Sequence, residues 1–227
     1  MALLGQGALA MWWDIAPAQR DEFEDWHTHE HFPERMAIPG FLRGSRWAAA
    51  DGGEGFFILY EMESYGTLVS PGYLASLNAP TPWSTKMMPH HRNMVRSQCH
   101  VLESKGGALS GHALTVRLSP AQGREAELRA SLRGLAHGLA TRPGISAGHL
   151  LQTETPRIAA TTEQKIRGGG DKAADWIFIA CGYDRTVLQS LATTELGADG
   201  LQGYGARPGA VHGLYTLSHT NIPKDFA

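Results

Sequence analysis

Little in this chain marks it as stapled, exported, membrane-spanning or nucleic-acid-binding. Of its 227 residues only two are cysteines, Cys99 and Cys181, and neither belongs to a C-x-x-C pair. That argues against a disulfide framework and for a reducing, cytoplasmic setting. Both thiols read as small buried groups on strands. No stretch approaches the ~20 apolar residues of a membrane helix. The longest apolar runs, such as Trp176 to Cys181, are strand-sized. The first basic residue is Arg20, so the apolar N-terminus lacks the positive start of a secretory signal and reads as a first strand. Twenty Lys and Arg against 22 Asp and Glu give a net charge of −2, without the basic excess of a nucleic-acid binder. The absence of a G-x-S-x-G elbow, and of a G-x-G-x-x-G or phosphate loop between strand and helix, argues against serine hydrolases, dinucleotide enzymes and P-loop NTPases.

What is present is a globular composition and a plan drawn twice. With 42% apolar and 19% charged residues, a chain of this length builds a core without a metal or disulfide. Pro39-Gly40-Phe41 returns 104 positions later as Pro143-Gly144-Ile145, each ahead of a strand-like stretch. Upstream of these, Ala8–Ile15 and Ala113–Leu118 read as strands that end near Pro17 and Pro120, and a helix follows each. Leu128, Leu132, Leu135 and Leu139 share one helical face. The first helix runs from about Pro17 to Phe32 and is more polar, with Pro17 suited to a first turn. Second strands (Phe41–Ala50, Ser146–Thr155), third strands (Gly55–Glu63, Trp176–Tyr183), short helices (Pro71–Leu77, Thr186–Leu196) and closing strands (Val95–Glu103, Ala210–His219) complete the order βαββαβ, twice. This predicts an α+β fold of two tandem ferredoxin-like repeats, 1–110 and 111–227, forming a barrel within one chain. Both halves would line the barrel interior, and pockets are expected in the barrel mouths and between the domains. Residues 161–175, with Gly168-Gly169-Gly170, have no counterpart in the first half and read as a mobile surface insertion or a lid.

Eleven histidines is rich for this length, and His27, His29 and His31 fall within five positions. On a helix His27 and His31 share a face and His29 points away. Pro33 should kink or stop the helix, leaving His29–His31 among exposed carbonyls that favour an imidazolium and raise its pKa, with Arg35 opposing. A solvated polar helix is the plain alternative, because six acidic residues lie between Asp21 and Glu34. The second repeat is an internal control. At the 104 offset Leu135 stands for His31, Ser131 and Arg133 for His27 and His29, and His137 is isolated. The cluster is therefore not needed to build the fold. One site per chain, on the first half, is expected. His90-His91 reads as a surface pair, and His149 and His212 lie on second-half strands.

The segment Trp26-His27-Thr28-His29-Glu30-His31-Phe32-Pro33-Glu34-Arg35, then Ile38-Pro39-Gly40-Phe41, resembles the dimeric α/β-barrel superfamily, and within it the EthD-like members. Asp14, Tyr60, Ser70-Pro71-Gly72-Tyr73-Leu74 and Asn78-Ala79-Pro80-Thr81-Pro82-Trp83 extend the resemblance over residues 10–90. It implies the barrel fold and a range of chemistries: cofactor-free monooxygenases, cyclases, isomerases, lyases and dehydratases, and haem enzymes.

The residues themselves favour acid/base work. His31 is the first candidate for the acid/base, with His29 or His27 assisting and Asp14 orienting. Tyr60 and Trp83 would supply a hydrogen bond and an apolar wall or simply pack in the core, Trp12 would add apolar surface, and Arg35 would hold an anionic group or, as the plainer reading, form an exposed ion pair with a nearby glutamate. The expected activity is elimination, isomerisation or cyclisation of a small hydrophobic or aromatic carbonyl or hydroxyl compound, without cofactor. The alternatives are zinc, because His27-Thr28-His29-Glu30-His31 matches H-x-x-E-H, haem on an axial histidine, and a non-catalytic binder. A homodimer is compatible with any of these.

Overall fold

The computed structural model describes residues 3–107, 109–156 and 158–226. Eight strands close one barrel: β1 (Gly7–Asp14), β2 (Phe41–Ala49), β3 (Gly55–Met62), β4 (Arg92–Gly106), β5 (His112–Leu118), β6 (Ile145–Thr153), β7 (Trp176–Gly182) and β8 (Val211–Asn221). Around the barrel they run β1-β3-β2-β8-β5-β7-β6-β4, every pair antiparallel. Each repeat thus makes its own four-stranded sheet. The outer strands join the halves through β2 with β8 and β4 with β6, so no edge remains to template aggregation.

The helices cover the outside of the barrel. The first repeat has α1 (Pro17–Trp26), continued through His27–His31 into α2 (Phe32–Met36), then α3 (Pro71–Asn78) and α4 (Pro82–Met87). The second has α5 (Glu125–Leu139), α6 (Thr162–Ile166), α7 (Arg185–Thr193) and α8 (Ala198–Tyr204). Strand alternation divides the apolar residues into three cores. Leu9, Met11 and Trp13 of β1 face the first repeat's helices, and Leu114, Val116 and Leu118 of β5 face the second's. The residues between them point inward.

The barrel interior is filled. Phe57 stacks on Trp12 and on Trp47, each with ring centroids 5.1 Å apart, and Cys99, Cys181, Leu151, Ile177 and Ile179 pack with them. At one end the interior is polar. Arg43 makes a two-pronged pair with the buried Glu61 at 2.6 and 2.7 Å, and His149 Nδ1 lies 3.0 Å from Ser104 Oγ. Three large aromatic side chains thus occupy the middle of the interior.

The first helix does not stop where Pro33 predicts. Residues His27–His31 form a π turn, in which the Phe32 N–H reaches back to the His27 carbonyl, and Pro33 sits in the first turn of α2, where no N–H is needed. Widening the helix by one residue absorbs the missing donor. The second repeat keeps a plain α-helix through the matching positions.

The two repeats also differ in how the helix meets the sheet. At offset 104, Gly44 on β2 matches Gly148 on β6, and Phe32 matches Ala136. A Cβ at Gly148 would lie 2.8 Å from the Ala136 Cα, so α5 packs directly on bare backbone. A Cβ at Gly44 would lie 2.4 Å from Phe32 Cε1, so a phenyl ring stands between helix and sheet. The second repeat is closed by this contact, and the first is held open.

Candidate functional site

The opening in the first repeat is a cleft between the outer face of its sheet and its helices. It holds about 420 Å³ of atom-free space, mouth included, of which about 40 Å³ is wide enough for the centre of a water molecule. That is room for roughly three waters, or a compact flat group. Leu9, Met11, Trp13, Trp26, Met88 and Met94 give apolar walls. His27, His31, His91, Tyr60, Arg35 and Arg96 reach it from the first repeat, and Glu163 and Arg167 from the insertion.

The π turn turns His27 and His31 to one side and buries both, with ring centroids 5.4 Å apart. His29 is exposed on the other side. The buried Arg46 of β2 places Nη1 3.5 Å from His27 Nδ1. A guanidinium only donates, so Nδ1 accepts and the ring hydrogen is on Nε2, which is buried and unpartnered. His31 Nδ1 has no hydrogen bond and lies 3.7 Å from Glu34 Oε2. His91 closes the group. Its Nδ1 lies 3.1 Å from the Met88 carbonyl, which must accept, so the lone pair is on Nε2. Its ring stands 4.7 Å from that of Trp13.

Burial is the largest influence on all three imidazoles, and it holds each below its ordinary pKa. Arg46 reinforces it at His27, Arg35 at His31 and Arg167 at His91, which is pushed down to about 3. The raised histidine pKa expected from a helix end is thereby overturned: the helix continues to Met36, and the rings point into a buried, cation-rich cleft. These histidines are neutral bases at physiological pH.

The charged wall is built from both repeats. Arg35 is buried and donates to Ser76 Oγ and Glu163 Oε1, both at 2.5 Å. Burial is the largest single influence and opposes its charge, but Glu163, Tyr73 and Tyr60 together raise its pKa. Arg167 Nη2 donates to Asp171 Oδ2 at 3.0 Å, and Arg96 Nη2 donates to Tyr73 Oη at 3.0 Å. Tyr60 Oη is buried without a hydrogen-bond partner, and burial pushes its pKa up, so it stands as a neutral hydroxyl facing the cleft.

Of the residues singled out from sequence, His27, His31, Arg35 and Tyr60 come together here. Asp14 does not line the cleft; its Oδ2 accepts from Asn93 at 2.7 Å. Trp83 donates to Glu22 at 3.2 Å beside α4. Trp12 lies in the barrel interior and donates to Thr115 at 3.2 Å. Two readings are corrected. His91 is half-buried rather than free on the surface, because the turn Met88–His90 leads straight into β4 and carries its ring against Trp13. The insertion is not a free loop: α6 docks on the cleft, and Lys172 bridges to Val95. The apolar Met87-Met88 pair next to His91 was the available signal for the first. The second left no trace in the apolar pattern.

The donor set does not converge as H-x-x-E-H requires. Glu30 Oε1 accepts from Thr81 at 2.5 Å and from Trp26 at 3.2 Å, tying α4 to the helix, away from the two histidines. Among the described residues no three His, Cys, Asp or Glu side chains meet as a metal site.

No protein-family model matches the chain, and no curated protein matches it. Solved structures share its fold. An anthrone oxidase-like protein superposes with TM-score 0.67 at 10% identity, over 98% of this chain and 95% of the other. A candidate monooxygenase from Fusobacterium nucleatum gives 0.62 at 7% identity, over 97% and 96%. Another from Lactobacillus acidophilus gives 0.59 at 8%, over 96% and 97%. The fold is that of the dimeric α/β barrels, here formed by two ferredoxin-like repeats in one chain. No helix among the described residues is long and apolar enough to cross a membrane.

Proposed function

We propose that the cleft is the active site of an enzyme that removes a proton from a compact aromatic carbonyl or hydroxyl compound. One observation carries this reading: three imidazoles held neutral and three guanidinium groups share one apolar-walled cleft. A general base must be unprotonated to act, and the anion it creates must be stabilised. His31 accepts the proton from a C–H beside a carbonyl. The electron pair moves onto the carbonyl oxygen, and Arg35 or Arg96 stabilises the enolate. Tyr60 Oη, lacking any partner, offers the substrate a hydrogen bond. Reprotonation at another atom gives isomerisation, and loss of a β-substituent gives elimination. In this reading the chain's own residues supply the proton transfer without a cofactor.

A second outcome for the same enolate is favoured by the overlay on an anthrone oxidase-like protein. An enolate carbon can react with dioxygen, which is then both oxidant and co-substrate. Both outcomes share the first step, so the test addresses that step. Anthrone and simpler aryl ketones are incubated with the protein in deuterated buffer under nitrogen, and exchange of the activated C–H is followed by NMR. Exchange above the uncatalysed rate is expected, reduced about 10²–10⁴-fold in His31→Ala and unchanged in His137→Ala. Dioxygen uptake in air would select the oxidative branch. Ligand binding without exchange would overturn the enzymatic reading and leave a small-molecule binder.

A further inference from the structure

A second chamber adjoins the histidine cleft, beyond Leu77, Arg96 and Arg167, which line both. It is the wider of the two, with about 520 Å³ of atom-free space and about 120 Å³ open to the centre of a water molecule. Its remaining lining is Gln98, Thr155, Pro156, Ile158, Thr161 and Gln164. No carboxylate lines it among the described residues, whereas two guanidinium groups do.

Its donors are in excess of their partners. Gln98 is 6% exposed, and its Nε2 is buried without a hydrogen bond. Arg167 Nε is likewise buried and unpaired, while Nη2 is held by Asp171 at 3.0 Å and Nη1 stands 3.8 Å from Glu163 Oε2. The Arg96 side chain gives one bond, to the Tyr73 hydroxyl. A buried donor left unmade costs stability, and a cluster of them toward one space marks a place where an acceptor belongs.

The strand register orders the two spaces. On β4 the residues Met94, Arg96 and Gln98 share the outer face; Arg96 pairs with Met11 and Gln98 with Leu9 on β1. Same-face neighbours lie roughly 7 Å apart along a strand. The row therefore runs from the apolar, histidine-bearing cleft at Met94, through a guanidinium shared by both spaces, to an unpaired amide in the chamber.

We propose that the chamber is the subsite for an oxyanion carried by the substrate, a carboxylate on an aromatic body lying in the histidine cleft. Arg96 and Arg167 supply the charge, and Gln98 Nε2 and Arg167 Nε supply the missing hydrogen bonds. A carboxylate accepts from a guanidinium fork in plane, which suits these donors. The proposal rests on the reading of the cleft as a ligand site and adds the substrate class.

Calorimetric titration with three probes tests it: 2-naphthoate, its uncharged methyl ester, and inorganic phosphate alone. The acid is expected to bind at least tenfold more tightly than the ester, and sodium chloride should weaken the acid alone. In Arg167→Met and in Gln98→Leu the ratio should fall toward one. Gln98→Leu removes a buried unpaired amide and should melt no lower than the parent, so its loss of selectivity cannot be a folding defect. Equal binding of acid and ester, or a preference that survives both substitutions, would overturn the subsite and leave the cleft reading intact. Phosphate binding more tightly than the acid would overturn it in favour of a free-anion site. Binding of neither aromatic probe at millimolar concentration would overturn the cleft reading, and the subsite with it.

Discussion

His149 sits inside the barrel with its Nδ1 3.0 Å from Ser104 Oγ, and burial pushes it down to about 4. His27, His31 and His91 are held down in the same way. In the unfolded chain each takes up a proton near pH 6.5. Between there and the lower native values the unfolded state binds more protons than the folded one, so stability is full above pH 6.5 and falls as the medium acidifies. Each such histidine steepens the fall by about 1.4 kcal/mol per pH unit. Denaturant unfolding at pH 7, 6 and 5 should show it, and His149→Gln should be shallower than the parent by about that amount between pH 6 and 5. Parallel profiles would show that His149 is not held neutral. The same physics bears on activity: deuterium exchange should carry no inflection near pH 6.5.

At the scale of elements, the decisive pairs are Phe32 over Gly44 and Ala136 over Gly148. Phe32 does not line the cleft, yet its ring keeps helix and sheet apart. Phe32→Ala copies the second repeat at this position. It should cost about 3–5 kcal/mol as a core truncation, and the affinity for an aromatic probe should fall as the cleft closes. Unchanged affinity would show that the π turn alone holds the cleft open. Gly44→Ala should destabilise by about 1–3 kcal/mol, because its Cβ would meet Phe32 and Tyr60 ring atoms at 2.4 and 2.9 Å.

For the whole molecule, neither sheet is complete alone. The inner face of the first repeat carries Ala8, Ala10, Trp12, Trp47 and Phe57, which rest against Ala113, Ala147, Leu151 and Ile177 of the second. Residues 1–110 expressed alone should therefore pair with a second copy or precipitate, as read by size-exclusion chromatography. A soluble monomer with native near-ultraviolet dichroism would show that the repeats are independent. The second repeat also completes the site, because Glu163 and Arg167 arrive from its insertion.

The order of strands and helices was legible from local pattern: alternation in the strands, the leucine stripe on α5, and the Pro-Gly pair repeated 104 positions apart. The asymmetry of the histidine cluster was legible too, because His27 and His31 have no counterparts in the second repeat. Which face of the barrel holds the cavity was decided only by packing. Apolar residues alternate on both faces of these strands, so the pattern does not say that Trp12, Trp47 and Phe57 fill the interior. The same holds for the docking of residues 161–175, whose anchors are single charged side chains with no periodicity. Pro33 predicted a break by its missing N–H, but a π turn satisfies the same lack. Phe32, whose N–H closes that turn, packs on Gly44 and Tyr60, a contact between segments that no local window contains.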